Sequence, residues 1–77
     1  MSARAEISWV SGPVLRARCE GAFALREAIS VGPLGLLGEV VRIEGEEIMA
    51  QVYEDTSGLK PGVEVRGSGL PLSIELG

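Results

Sequence analysis

Histidine is absent from this chain, and cysteine, tryptophan, tyrosine and phenylalanine occur once each in its 77 residues. Without histidine there is no imidazole to act as a general base near neutral pH or to ligate zinc. Cys19 has no partner for a bridge within the chain, so no disulfide framework holds the fold. A free thiol fits a reducing compartment. Basic residues are in deficit: seven Lys and Arg stand against eleven Asp and Glu, a formal charge of −4. A protein that neutralises phosphates carries the opposite balance. The seven are also scattered from Arg4 to Arg66, so none forms a polybasic membrane patch. No apolar run approaches the roughly 18 residues of a membrane-spanning helix, and Met1-Ser2-Ala3-Arg4 lacks the apolar core of a signal peptide.

What remains reads as one small globular domain. Apolar residues make up 45% and charged residues 23%, a balance that buries a core rather than staying disordered. The apolar pattern has period two. Ile7 and Trp9 alternate with Glu6 and Ser8, Ile48, Ala50 and Val52 with Met49, Gln51 and Tyr53, and Val63 and Val65 with Glu64 and Arg66. Leu72, Ile74 and Leu76 alternate with Ser73 and Glu75. Around Gly38–Ile43 the parity is mixed, with Leu37, Val41 and Ile43 on one side and Val40 on the other. Short, half-buried strands rich in Val and Ile are expected, roughly six or seven of them.

Turn signals separate the runs. Gly12-Pro13 predicts a bulge or sharp bend, and Gly32-Pro33-Leu34-Gly35 a turn. Glu44-Gly45-Glu46 is expected to close a hairpin between Gly38–Ile43 and Ile48–Tyr53. Thr56-Ser57-Gly58 and Lys60-Pro61-Gly62 read as loop, with Gly58 and Gly62 supplying unusual backbone angles. Gly67-Ser68-Gly69 and Pro71 are expected to separate the last two strands. Gly21–Ala28 has room for one helical turn at most. Closing such strands into a small barrel buries one face of each and protects every edge, which favours a barrel over a sandwich or open sheet.

Chemistry-bearing patterns are sparse. A phosphate-binding loop needs a lysine followed by Ser or Thr, but the only lysine, Lys60, precedes Pro61, and no GxGxxG occurs among the eleven glycines. Asp55-Thr56-Ser57-Gly58 departs from the Asp-Thr-Gly of aspartic proteases by an inserted Ser57, and it occurs once. Glu44, Glu46, Glu47, Glu54 and Asp55 lack the spacing of a hard-cation loop and read as a solvated acidic hairpin end. Cys19 has no activating base and reads as a small hydrophobe. Trp9, Phe23 and Tyr53 are too few, and too close to acidic residues, to form a base-stacking platform. No catalytic, cofactor-binding or metal-ligating residue is assigned.

The run Gln51-Val52-Tyr53-Glu54-Asp55-Thr56-Ser57-Gly58-Leu59-Lys60-Pro61-Gly62 strongly resembles the N-terminal domain of the catalytic A subunit of V-type and archaeal A-type rotary ATPases. Ser11-Gly12-Pro13-Val14, Leu36–Ile43 and Gly69–Gly77 resemble that domain's opening bend, a middle strand and its exit strand, in the same order. Gly21–Ser30 match least. Thr56, Gly58, Leu59 and Gly62 also resemble the equivalent barrel of F-type alpha and beta subunits and of the V-type B subunit, while Tyr53-Glu54-Asp55 and Lys60-Pro61-Gly62 favour the catalytic chain.

The resemblance implies an all-β fold, a small closed six-stranded Greek-key barrel, spanning residues 1–77 as one crown domain. The family's nucleotide-binding and C-terminal domains, with their ATP and magnesium, have no counterpart in these residues. The chain stops where the family's linker begins, as an excised domain or a naturally truncated relative does. The implied role is non-catalytic support of a ring of alternating A and B subunits, on the cytoplasmic, peripheral part of a membrane-associated complex that couples ATP turnover to proton or sodium movement. No nucleic acid, no direct membrane contact and no ATP binding by this chain alone are expected. The loop Asp55–Gly62 and the acidic hairpin Glu44–Glu47 are the candidate contacts with neighbours. The alternative is a free-standing barrel that binds other proteins.

Overall fold

A computed structural model describes residues 3–71. Six strands form: β1 Arg4–Ser11, β2 Val14–Glu20, β3 Glu27–Val31, β4 Leu36–Glu44, β5 Glu47–Val52 and β6 Glu64–Pro71. They pair antiparallel throughout and close into a barrel in the order β1-β2-β5-β4-β3-β6. Strands β3, β4 and β5 follow one another as neighbours, and β6 returns to lie beside β3, which is the Greek-key arrangement. The expected fold class is therefore observed.

The pairing directions place the β1–β2, β3–β4 and β5–β6 connections at one end of the barrel, here the loop end. The β2–β3 and β4–β5 connections lie at the other, together with Ala3 and Pro71. The two connections of two residues, Gly12-Pro13 and Gly45-Glu46, each begin with glycine at φ +58° and +61°. That is where a tight hairpin needs a positive φ. Gly12-Pro13 is thus a complete chain reversal between β1 and β2, not a bulge inside one run.

Ile7, Leu15, Ile29, Val31, Val40, Ile48 and Val65 fill the interior with almost no solvent exposure. Burying each such side chain contributes about 1.5–3 kcal/mol. The small residues Ala5, Ala17 and Ala50 alternate with them, as a narrow barrel requires. Leu59 and Val63 plug the loop end, packing over Gly32, whose φ of +76° admits no ordinary side chain and whose Cβ would lie 3.3 Å from Leu59. Phe23 packs on the core from the β2–β3 connection.

Two bulges break the simple alternation. Register shifts between Ile7 and Trp9 on β1, leaving Ser8 as the extra residue. Ile7 points inward opposite Ala17, while Trp9, expected on the same face as Ile7, pairs with outward-facing Arg16 and is 47% exposed. On β4 the shift falls between Val40 and Arg42, with Val41 as the extra residue. Val40 and Ile43 then stand opposite the interior residues Ala50 and Ile48, although their parity differs.

Two further expectations are corrected. Gly67-Ser68-Gly69 does not end a strand, because β6 runs through it to Pro71 and bulges opposite Ala28. Gly21–Ala28 holds no helical turn: Leu25-Arg26 forms a tight turn and β3 starts at Glu27. The expected strand Leu72–Leu76 lies outside the described residues.

Candidate interaction surfaces

The loop Asp55–Gly62 is tied down from within. Asp55 Oδ1 accepts the Ser57 amide at 3.0 Å, and the Leu59 amide donates to the Thr56 carbonyl at 2.9 Å. Thr56 Oγ1 donates to the Gly12 carbonyl at 2.9 Å, and the Gly62 amide to the Ile7 carbonyl at 2.8 Å. These bonds close the loop end of the barrel. Gly62 has the expected positive φ, +97°, but Gly58 does not. Here Gly58 is simply exposed, and its conformation is one that any residue adopts.

The acidic hairpin Glu44–Glu47 sits at the opposite end. Glu44 pairs with Arg42 at 2.8 Å, both side chains more than half exposed. The Glu46 carbonyl accepts the Cys19 amide at 2.7 Å, and Glu47 lies across from Arg18. The two regions expected to touch neighbours therefore occupy opposite poles and form no single site. Glu54 and Asp55 are also remote from this hairpin, and among the described residues no three acidic or thiol side chains converge as metal ligands do.

Cys19 is half-buried on the β2 side of an open cleft of about 560 Å³ that also includes Phe23, Ile43 and Ile48. Burial first, and the Glu47 carboxylate second, push its thiol pKa up. Both effects disfavour the thiolate, the nucleophilic form.

Three relationships were not evident from the residue pattern. The first is Glu27, a buried carboxylate facing into the barrel: Oε1 accepts the Ala24 amide at 2.9 Å and Oε2 the Gly69 amide at 2.8 Å. Gly67 lies against it with no room for a Cβ. The acid thereby joins the β2–β3 connection to the bulge of β6.

The second lies on the outside of β1 and β2. Arg16 stacks over Trp9, its guanidinium carbon 5.6 Å from the ring centroid. The third is on the outside of β4, where Leu37, Val41 and Tyr53 are each 42–48% exposed. Tyr53 donates its hydroxyl to Glu39 Oε1 at 2.6 Å, and Arg26 approaches Glu39 Oε2 at 3.9 Å. That hydrogen bond, then burial and the charge of Glu39, hold the Tyr53 phenol above its usual pKa, while Arg26 opposes them. Glu54 Oε2 accepts the Leu37 amide at 2.8 Å. Periodicity assigned Trp9 to the core, and nothing local in the sequence links Tyr53 to Glu39.

Compared with known proteins, residues 7–69 match the beta-barrel domain of the ATP synthase alpha/beta family. The chain belongs to that family. The match spans all six strands of the barrel save the ends of β1 and β6. Relatives point to one branch of the ATP synthase alpha/beta family. The catalytic-type A chain of the A-type ATP synthase of Pyrobaculum aerophilum is 54% identical over 72 residues, covering 94% of this chain and 12% of the relative. Its counterparts in Metallosphaera sedula and Pyrococcus horikoshii are 47% and 44% identical over 97% and 100% of this chain, which spans 13% and 8% of their lengths. The resemblance to the A-type chain, rather than to B, alpha or beta, is thus supported along nearly the whole sequence. What aligns is the barrel region of those much longer proteins.

Proposed function

We propose that this chain is a crown domain: a non-catalytic barrel that holds neighbouring subunits of an A-type ATPase ring in register. The reading treats residues 1–77 as one structural unit, with the nucleotide-binding and C-terminal domains carried elsewhere. The observation that carries it is the match of residues 7–69 to the family's barrel domain, at 54% identity to the Pyrobaculum aerophilum relative.

The architecture suits that role. Every strand is hydrogen-bonded on both sides, and the interior is tightly packed. Such a body resists deformation while attached domains open and close with ATP turnover. Neighbours in a ring meet through unlike surfaces, and closure of the rotation prevents unlimited growth. The partners are then barrels of adjacent A and B subunits, with no nucleic acid, no direct membrane contact and no ATP held by this chain. The location is the cytoplasmic, peripheral part of a membrane-associated ion-translocating complex.

Calorimetric titration of the chain with Mg·ATP tests the non-catalytic role: no heat of binding is expected, and tight stoichiometric binding would overturn it. Titration with the barrel domain of a matching B subunit tests the partner. Saturable association is expected there, and its absence at high concentration would favour a free-standing interaction module.

A further inference from the structure

The two outer faces described above lie on opposite sides of the barrel. In the cyclic order β1-β2-β5-β4-β3-β6, two strands separate β1 from β4 in either direction. One face presents Trp9 with Arg16 stacked on it, and no described carboxylate is within ion-pair distance of Arg16. The other presents Leu37, Val41 and Tyr53, with the carboxylates Glu39 and Glu54 against the single cation Arg26. Glu54 uses only Oε2 in the bond to Leu37, so Oε1 remains available.

Each face holds what the other lacks. A guanidinium retains its charge at any ordinary pH and binds carboxylates through a planar fork. Exposed Trp, Tyr and Arg side chains concentrate binding energy when a partner excludes water from them. Leu37 and Val41 offer apolar area for the indole, and the excess negative charge beside them suits Arg16.

We propose that the Trp9–Arg16 face of one copy docks on the Leu37–Val41–Tyr53 face of a second copy, head to tail, with Arg16 meeting the Glu39–Glu54 carboxylates. The contact follows from this chain's two faces and does not depend on the ATPase-ring reading. Because the faces are opposed, each docked copy still offers one of each, and association continues as a row rather than stopping at a pair.

Sedimentation equilibrium of the chain, up to about 1 mM, tests this. The average mass should rise with concentration above the 8.1 kDa monomer. Raising the salt should lower it, because an exposed ion pair is screened. Arg16→Glu blocks one face and Leu37→Glu the other, so each variant alone should stay monomeric. Mixed in equal amounts they retain one intact pair of faces, and should form a dimer and no larger species. Circular dichroism checks folding, and Tyr53→Ser replaces Leu37→Glu if the latter does not fold. A wild-type chain that stays monomeric overturns the proposal. So does a variant that associates like wild type, or a mixture that stays monomeric while the wild type assembles.

Discussion

The Glu27 carboxylate and the Gly69 amide meet at 2.8 Å across 42 residues of sequence. The same side chain takes the Ala24 amide, so one buried acid satisfies donors from two segments that have no strand partner for them. Replacing it by alanine leaves both donors without an acceptor, at roughly 1–3 kcal/mol each. Glu27→Gln retains one acceptor oxygen and turns an amino group towards the other amide, so its cost should fall between wild type and alanine. Urea denaturation of the three proteins should give that order, and hydrogen exchange should show the Gly69 and Ala24 amides losing protection first.

Two interior glycines are fixed by what lies against them. A Cβ on Gly38 would sit 2.9 Å from the Gln51 carbonyl oxygen and 3.2 Å from Ile29, and one on Gly67 would collide with the Glu27 carboxylate and Phe23. Gly38→Ala and Gly67→Ala should each lower stability by about 1–3 kcal/mol, the usual cost of overpacking. Gly58→Ala, with ordinary φ and open space around it, should leave the denaturation midpoint unchanged.

Tyr53 is the chain's only tyrosine, so tyrosinate absorbance reports it alone. Its pKa in the folded state is raised, chiefly by the hydrogen bond to Glu39. The folded protein therefore keeps a proton that the unfolded chain loses first. This contribution to stability is complete below the unfolded tyrosine pKa of about 10 and is lost as pH rises through the folded value. The alkaline midpoint should fall in Glu39→Gln and in strong denaturant. An unchanged midpoint in Glu39→Gln would show that the hydrogen bond is not the cause.

Arg26 is the one described non-glycine residue with positive φ, at 70°. Its side chain is 73% exposed and its ion pair with Glu39 is long, 3.9 Å, so little stability rests on the pair. The left-handed backbone costs about 1–2 kcal/mol, whereas glycine adds roughly 0.5–1 kcal/mol through chain entropy. Arg26→Gly should thus match or exceed wild type in thermal melting, and Arg26→Val should melt clearly lower.

Alternation along Ile48–Val52 and the turn signals at Gly32–Gly35 and Gly45 were enough to indicate a small barrel, because period-two burial has few closed solutions at this length. The facing of Trp9 and Ile43 was not readable. A bulge changes parity by one residue, and neither Ser8 nor Val41 carries a local mark that it is the extra one. Glu27 was equally silent, since a carboxylate is tolerated inside only when distant amides converge on it, and Gly69 belongs to another strand. The interaction faces share this difficulty: Trp9 with Arg16, and Tyr53 with Glu39, are neighbours only after the strands are in register.

The doubly bonded state of all six strands limits how anything can attach to this body. No row of main-chain amides and carbonyls is left along the cylinder wall for a visiting segment to extend. Recognition must pass through side-chain tips, whose identity can drift one position at a time without disturbing the wall behind them. Related barrels can thereby acquire different neighbours while sharing one scaffold.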